Sequence, residues 1–412
     1  MRILFVSSDS PAPLNHHGAS QNLLDMIKTL SVKHDISVLT FCCSDEEKRR
    51  ASELRRYCRR IETVVLPPIG KNQLRRRLTT LLTGKPAFVT FCKSHEMSAR
   101  LAELTRQESF DVIQFQSTEM AQYVDYVSSP SRAATVLHEI DVSLVRFYRE
   151  FKAEEDLARK GYKLKDYLNM MMYEPTICER FDGIIACSQQ DAGVLRAFNS
   201  RVHVSVIPFG VDDSYFGIES DGNAAPSMLF VGSYVHPPNV DAVLYFCKEI
   251  LPKVRDSSPH VTLYITGGSP PDAIRRLSSD PGIVVTGYVE DLGESLRRAT
   301  VCIAPLRFGA GQKTKVLAAM AAGKAIVSTR LGVESLAVVP DRDVLVADSP
   351  AEFAGKVVRL LNDPPLRSSL GASARRLISE QHSWNSNVAR LEAVYSELAA
   401  RKARGAEELA QC

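Results

Sequence analysis

The chain has 412 residues, 45% of them hydrophobic and 24% charged, with a formal net charge of +3. That length exceeds one ordinary hydrophobic core and suits two domains of about 200 residues each, with the composition of a soluble globular protein. No stretch approaches the ~18 uninterrupted apolar residues of a membrane span, and the opening MRILFVSSDSPAP breaks too early for a signal peptide, so a cytoplasmic location is the expectation. Nine irregularly spaced cysteines without a Cys-x-x-Cys pair agree with it.

Residues 2–7 (RILFVS) form a continuous apolar run of the kind buried in a parallel sheet. A loop from Asp9 to Gly18 follows, then helical spacing over 21–30, which together make the strand, loop and helix unit of a doubly wound domain. Ligands in such folds sit at the carboxyl ends of the strands, so the loop with His16, His17 and Gly18 is a site candidate. A second strand is predicted over 35–41 and an arginine-dense helix over 45–60. The first 100 residues hold seventeen Lys and Arg against nine Asp and Glu, a net of +8, so the remaining 312 carry about −5. The densest runs, KRRASELRRYCRR from Lys48 and KNQLRRR from Lys71, read either as solvated helix faces or as a surface suited to an anionic bilayer or a lipid diphosphate. No aromatic stacking pattern accompanies them, which argues against nucleic acid.

Further strands are predicted over 110–116 and 134–137. The second ends in His138-Glu139-Ile140-Asp141, and a histidine there lies where site residues lie. Residues 143–180 read as one long charged helical stretch, leading to a strand over 183–187. Ser188, Gln189 and Asp191 then open another helix. The polar, Gly-, Pro- and Ser-rich stretch 213–227 reads as a linker. A strand over 228–231 opens the second domain and runs into Gly232-Ser233-Tyr234 and His236-Pro-Pro-Asn239, where Asn239 is placed to cap a helix over 241–251. Strands over 261–266 and 283–286, each followed by a glycine, continue the alternation; the second runs into Gly287-Tyr288.

Residues 301–334 carry the strongest signal. A strand over 301–304 gives way at Pro305 to a loop with Gly309 and Gly311, then a small-residue helix over 313–322 stops at Gly323. A strand, a glycine loop and a helix N-terminus make an anion site, because the first helical amides have no internal partners and the macrodipole favours negative charge there. Lys313 and Lys315 are mildly unfavourable for the helix itself, so a bound diphosphate accounts for them better than helix stability does. The alternative is a solvated helix start with two ordinary lysines. Beyond it come a strand over 325–328, a turn at Gly332, helices over 351–361 and 366–379, and a last helix from 383 with the only tryptophan, Trp384. The tail after 400 is expected to fray.

The run from Pro305 through Gly309, Gly311, Lys315, Leu317, Ala319, Met320, Ala321, Gly323, Val327, Ser328, Thr329, Gly332 and Glu334 resembles the donor-site segment of the family-four retaining glycosyltransferases, glycosyl transferases group 1. The resemblance implies the GT-B fold: α/β, two Rossmann-like doubly wound domains facing a central cleft. On it, 1–212 is the acceptor-side domain, 213–227 the linker, 228–382 the sugar-nucleotide donor domain, and 383–412 a helix crossing back plus a tail. It implies metal-independent, retaining transfer of a hexosyl group from a nucleotide-diphosphate sugar to a hydroxyl acceptor, lipid-linked or a polysaccharide precursor, with no cofactor. Peripheral membrane contact would run through the basic N-terminal domain. Donor contacts fall to Gly18, Ser233, Gly287, Tyr288, Gly309, Ala310, Gly311, Lys313, Lys315 and Glu334, and catalytic contacts to His138 and Asp141.

The chain also departs from the family pattern. Two glutamates eight positions apart are usual, and Ala310 and Ala318 stand there instead. The arginine and lysine that hold donor phosphates near the first loop are missing too, which throws that task onto Lys313, Lys315 and backbone amides. Asp341-Arg-Asp343 spells the acid pair of metal-dependent glycosyltransferases but reads as a loop, so no metal is implied. The missing glutamates motivate an alternative reading, a catalytically silent sugar-nucleotide-binding or partner subunit.

Overall fold

The computed structural model describes residues 1–11, 18–66, 84–128, 132–198, 202–219 and 225–411, with the side chains of the last six left aside. His16, His17 and the basic run from Lys71 lie outside the described residues. The chain divides into two compact units, one of Met1–Asn15, Ala19–Pro208 and Asn387–Cys412, the other of His16–Gly18 and Phe209–Ser386.

The first unit is built on seven parallel strands: β1 (Arg2–Ser7), β2 (Asp35–Cys42), β3 (Arg60–Val65), β4 (Val112–Gln116), β5 (Ala134–Glu139), β6 (Gly183–Ala186) and β7 (Val204–Val206). Their order is β3-β2-β1-β4-β5-β6-β7. Continuous apolar strands such as β1 and β4 are buried on both faces, as a sheet covered by helices requires. Helix α1 (Gly18–Leu30) follows β1. The helix expected over 45–60 is shorter: it spans Asp45–Ala51, passes into a 3-10 turn at Ser52–Arg56, and the β-branched run IETVV becomes the edge strand β3. Arg60, at its start, is tied to Glu62 and Glu108, so arginine density there serves a sheet edge. The stretch 143–180 is two helices, α2 (Ser143–Ala153) and α3 (Leu157–Cys178). The acidic run Glu154-Glu155-Asp156 separates them because Asp156 caps α3, its carboxylate accepting the Arg159 N–H at 2.8 Å.

In the second unit six parallel strands, β8 (Ser227–Val231), β9 (Thr262–Thr266), β10 (Ile283–Gly287), β11 (Val301–Ala304), β12 (Ile326–Ser328) and β13 (Leu345–Val346), take the order β10-β9-β8-β11-β12-β13. Helices α4 (Pro237–Tyr245), α5 (Thr314–Ala321), α6 (Pro350–Asn362) and α7 (Pro364–Gln381) flank it. Its core joins Met228, Phe230, Phe246, Ile265, Val301 and Phe353. From Val316 to Ala321 every residue of α5 is buried, which explains its small side chains. Gly323 ends α5 at φ +65°, and a Cβ on Gly371 of α7 would fall 2.0 Å from the Gly323 carbonyl, so two glycines let these helices touch.

The last helix, α8 (Trp384–Gln411), does not fray at 400. From Asn387 it belongs to the first unit, where Lys402 pairs with Asp182 at 2.9 Å and a Cβ on Gly183 would meet Leu398 at 2.6 Å. Among the described residues no helix is long and apolar enough to cross a membrane.

Candidate functional site

Strand order reverses between β8 and β11 in the second unit, and the crevice at the carboxyl ends of such a pair is where open α/β sheets bind ligands. The loop after β11 carries Gly309 at φ +122° and Gly311 at φ +68°, conformations that disfavour any side chain. It lies against the loop after β8, since a Cβ on Gly309 would be 3.5 Å from Pro238. Asn239 does not cap the helix after β8. That helix starts at Pro237 with His236 as its N-cap, because proline at the first helical position fixes the start earlier. The Asn239 amide instead donates to the Ser233 carbonyl at 2.7 Å and accepts from the Lys315 ammonium. One side chain thus ties the loop after β8 to the first turn of α5.

Lys313 is the N-cap of α5 rather than a first-turn residue, and it offers no side-chain cap. Its ammonium folds back to donate to the carbonyls of Ala310 at 3.0 Å and Gly311 at 2.6 Å, bracing the glycine loop. Lys315 sits over the Phe230 ring at 4.4 Å. Residual solvent contact on its side chain does not relieve the crowding of its ammonium by protein, and burial, with Lys313 adding to it, lowers its pKa to about 7. An anion at this helix start would hold the proton on Lys315 and offset its desolvation. Ser335 donates to the Gly311 carbonyl at 3.4 Å, which brings the turn with Glu334 beside the same loop. Ala310 and Ala318 supply no carboxylate.

The ends of β9 and β10 complete this edge. Gly267 donates its N–H to the Gly287 carbonyl at 2.8 Å, Gly232 donates to the Thr266 carbonyl at 2.9 Å, and the half-exposed Tyr288 follows Gly287. Gly18 groups with this unit, and a Cβ there would lie 2.3 Å from the Thr314 hydroxyl at the start of α5.

In the first unit His138 is 2% exposed. Its Nδ1 lies 3.4 Å from the Gln114 amide nitrogen and its Nε2 3.5 Å from Cys187 Sγ, while Gln114 Oε1 accepts from the buried Tyr395 hydroxyl. Burial lowers its pKa to about 4, which keeps the ring neutral near pH 7. Those are the surroundings of a core histidine. Asp141 is partly exposed and stands 3.6 Å from Arg146.

Sequence reasoning missed the carboxylates at the corresponding strand-order reversal, between β1 and β4. Ser8, just past β1, donates to Glu119 at 2.6 Å, just past β4, where Ser117 takes a strained φ of 70°. Nearby, Glu174 of α3 accepts the N–H groups of Ser143 and Leu144 at 2.8 and 2.9 Å, capping α2, and Thr118 donates to Glu139 at 2.8 Å. The signal was present in Ser117-Thr118-Glu119 directly after the apolar run of β4.

Burial raises Glu119 to about 7, above the ordinary 4.5. Its folded form therefore holds a proton between about 4.5 and 7 that the unfolded chain releases, and stability contributed at low pH is lost as pH rises through that window. Glu119→Gln should gain several degrees of melting temperature relative to the parent between pH 5 and pH 8. A difference that stays constant with pH would show that Glu119 ionises normally.

Among the described residues no three His, Cys, Asp or Glu side chains are grouped to hold a metal ion. Asp343 of the Asp-Arg-Asp sequence is buried, accepting from Arg342, Ser373 and the Val339 N–H, so it organises its own turn.

Residues 225–363 match the family model described as Glycosyl transferases group 1. A protein of Klebsiella pneumoniae described as an uncharacterized 44.6 kDa protein in cps region is 22% identical over 396 residues, 92% of this chain and 96% of its own length. The MMP alpha-(1->4)-mannosyltransferase of Mycolicibacterium hassiacum is 26% identical over 347 residues, 80% of each chain. Among solved structures, HepE of Anabaena in complex with UDP-glucose superposes with a TM-score of 0.68 at 15% identity, over 96% of this chain and all of that one.

Proposed function

We propose that this chain, a member of the glycosyl transferases group 1 family through its residues 225–363, is a retaining, metal-independent hexosyltransferase. It moves a sugar from a nucleotide-diphosphate donor to a hydroxyl on a lipid-linked or polysaccharide-precursor acceptor. The observation that carries the reading is the anion-suited start of α5 at the β8–β11 reversal, with flexible glycines at 309 and 311 and an ammonium of depressed pKa at Lys315. The UDP-glucose complex of a protein with this fold supports a nucleotide sugar as the donor.

In such a transfer the departing diphosphate gathers negative charge, and groups fixed in advance around it lower the barrier most. The first amides of α5 and Lys315 supply that charge stabilisation, Lys313 keeps the loop carbonyls turned away from it, and Gly309 and Gly311 let the backbone approach. Ser233, Gly287, Tyr288, Ala310, Glu334 and Gly18 border the nucleotide and sugar. For the reacting hydroxyl the first unit offers Asp141, which solvent reaches, ahead of His138, whose ring is enclosed.

Thermal melts with UDP-, GDP-, dTDP- and ADP-sugars test the reading, because a ligand bound only by the folded state raises the melting temperature by mass action. One donor is expected to stabilise the protein and to be consumed with an acceptor. Stabilisation without transfer or hydrolysis would favour the silent binding subunit that Ala310 and Ala318 suggest, and no stabilisation by any donor would refute both.

A further inference from the structure

Helix α3 is apolar on the side turned to solvent. Leu157, Leu164, Leu168, Met171 and Met172 are 84, 38, 50, 46 and 77% exposed, and their spacing sets them along one stripe. The opposite face is fixed by the buried Asp166, Met170, Glu174 and Ile177. Four cations, Arg159, Lys160, Lys163 and Lys165, fall within seven residues of the same helix. Lys163 is held by Glu154 at 2.9 Å and Lys160 stands over Phe151, while the only carboxylate from 157 to 173, Asp166, is buried on the inner face.

We propose that the outer face of α3 docks on an anionic lipid bilayer, its leucines and methionines entering the boundary between headgroups and acyl chains and its cations meeting lipid phosphates. Charge selects this occupant. A second copy laid on the stripe would set the same cations against each other with no acidic residue on the stripe to answer them, whereas an anionic membrane supplies the missing charge. The surface is distinct from the arginine runs at 48–60 and 71–77, and the inference stands apart from the sugar-transfer reading.

Co-sedimentation of the full chain with phosphatidylcholine vesicles, with and without phosphatidylglycerol, tests it. The parent is expected to bind the vesicles containing phosphatidylglycerol, less so as salt rises, and the Leu168→Gln/Met172→Gln double variant to bind about tenfold more weakly. Both positions are exposed, so an unchanged melting temperature will confirm that the variant is folded. Equal binding by parent and variant, equal binding to neutral vesicles, or no binding would overturn the proposal. So would self-association in sedimentation velocity that the double variant abolishes without any vesicle binding.

Discussion

Lys315→Met is expected to lower donor turnover by about 10²- to 10³-fold, the cost typical of removing one fixed group that stabilises developing charge. Methionine keeps the length and apolar stem of the side chain over Phe230, so the melting temperature should stay within a few degrees of the parent. Lys313→Ala should cost less, about tenfold, because that ammonium is already engaged with the carbonyls of Ala310 and Gly311 and acts by shaping the loop. The two variants also differ in pH dependence. With a pKa lowered to about 7, Lys315 is charged in the free protein below that pH and must take up a proton to meet a diphosphate above it. Donor affinity in the parent should therefore fall as pH rises from 7 toward 9, and Lys313→Ala should keep that slope. Lys315→Met should bind weakly with no slope. Titration calorimetry in buffers of different ionisation enthalpy reads the proton uptake directly. Undiminished turnover in both variants would remove these lysines from the reaction.

Gly267→Ala should destabilise the second unit by about 3 kcal/mol, roughly a 10 °C loss in melting temperature. Gly267 has φ +144°, a backbone conformation open to glycine, and an added Cβ would sit 1.8 Å from the Gly232 carbonyl oxygen. That neighbour is backbone, so the clash is relieved only by separating the loops after β8 and β9. The same movement would break the Gly267 to Gly287 hydrogen bond, so the stabilisation given by donor should be lost together with the thermal stability. Gly287→Ala is the control. Its φ of +70° adds strain, but nothing lies within 4 Å of the new methyl group, and a cost of about 1–2 kcal/mol with donor stabilisation retained is expected. Differential scanning calorimetry with and without donor separates the two. A Gly267→Ala variant that melts with the parent would mean that these loops are not held as described.

Strands buried on both faces were legible in the sequence because continuous apolar runs such as 2–7 and 301–304 have few alternatives. The glycine loop and the small-residue helix after it were legible for the same reason, since Gly309, Gly311 and Gly323 hold positive φ. Edge strand β3 was hidden by its arginines, which look like a solvated helix until Glu62 and Glu108 are seen to pair with Arg60. Asn239 had a local reason to cap a helix, and only the return of Lys315 from 76 residues later gives its amide another task. His138 sits where a site residue could sit, yet its depth depends on Gln114, Cys187 and Tyr395, three residues distant in the chain. In α3 periodicity marks two apolar stripes but cannot tell which one packs, and the burial of Asp166 decides it.

Amide hydrogen exchange of the full chain, with and without the nucleotide sugar that raises the melting temperature most, tests the central claim most directly. Slower exchange is predicted across residues 309–315 and at the first turn of α5, accompanied by 232–234 and 287–288. A donor that binds yet leaves the exchange of 309–315 unchanged, with protection confined to other segments, would contradict the assignment of the α5 start as the diphosphate site.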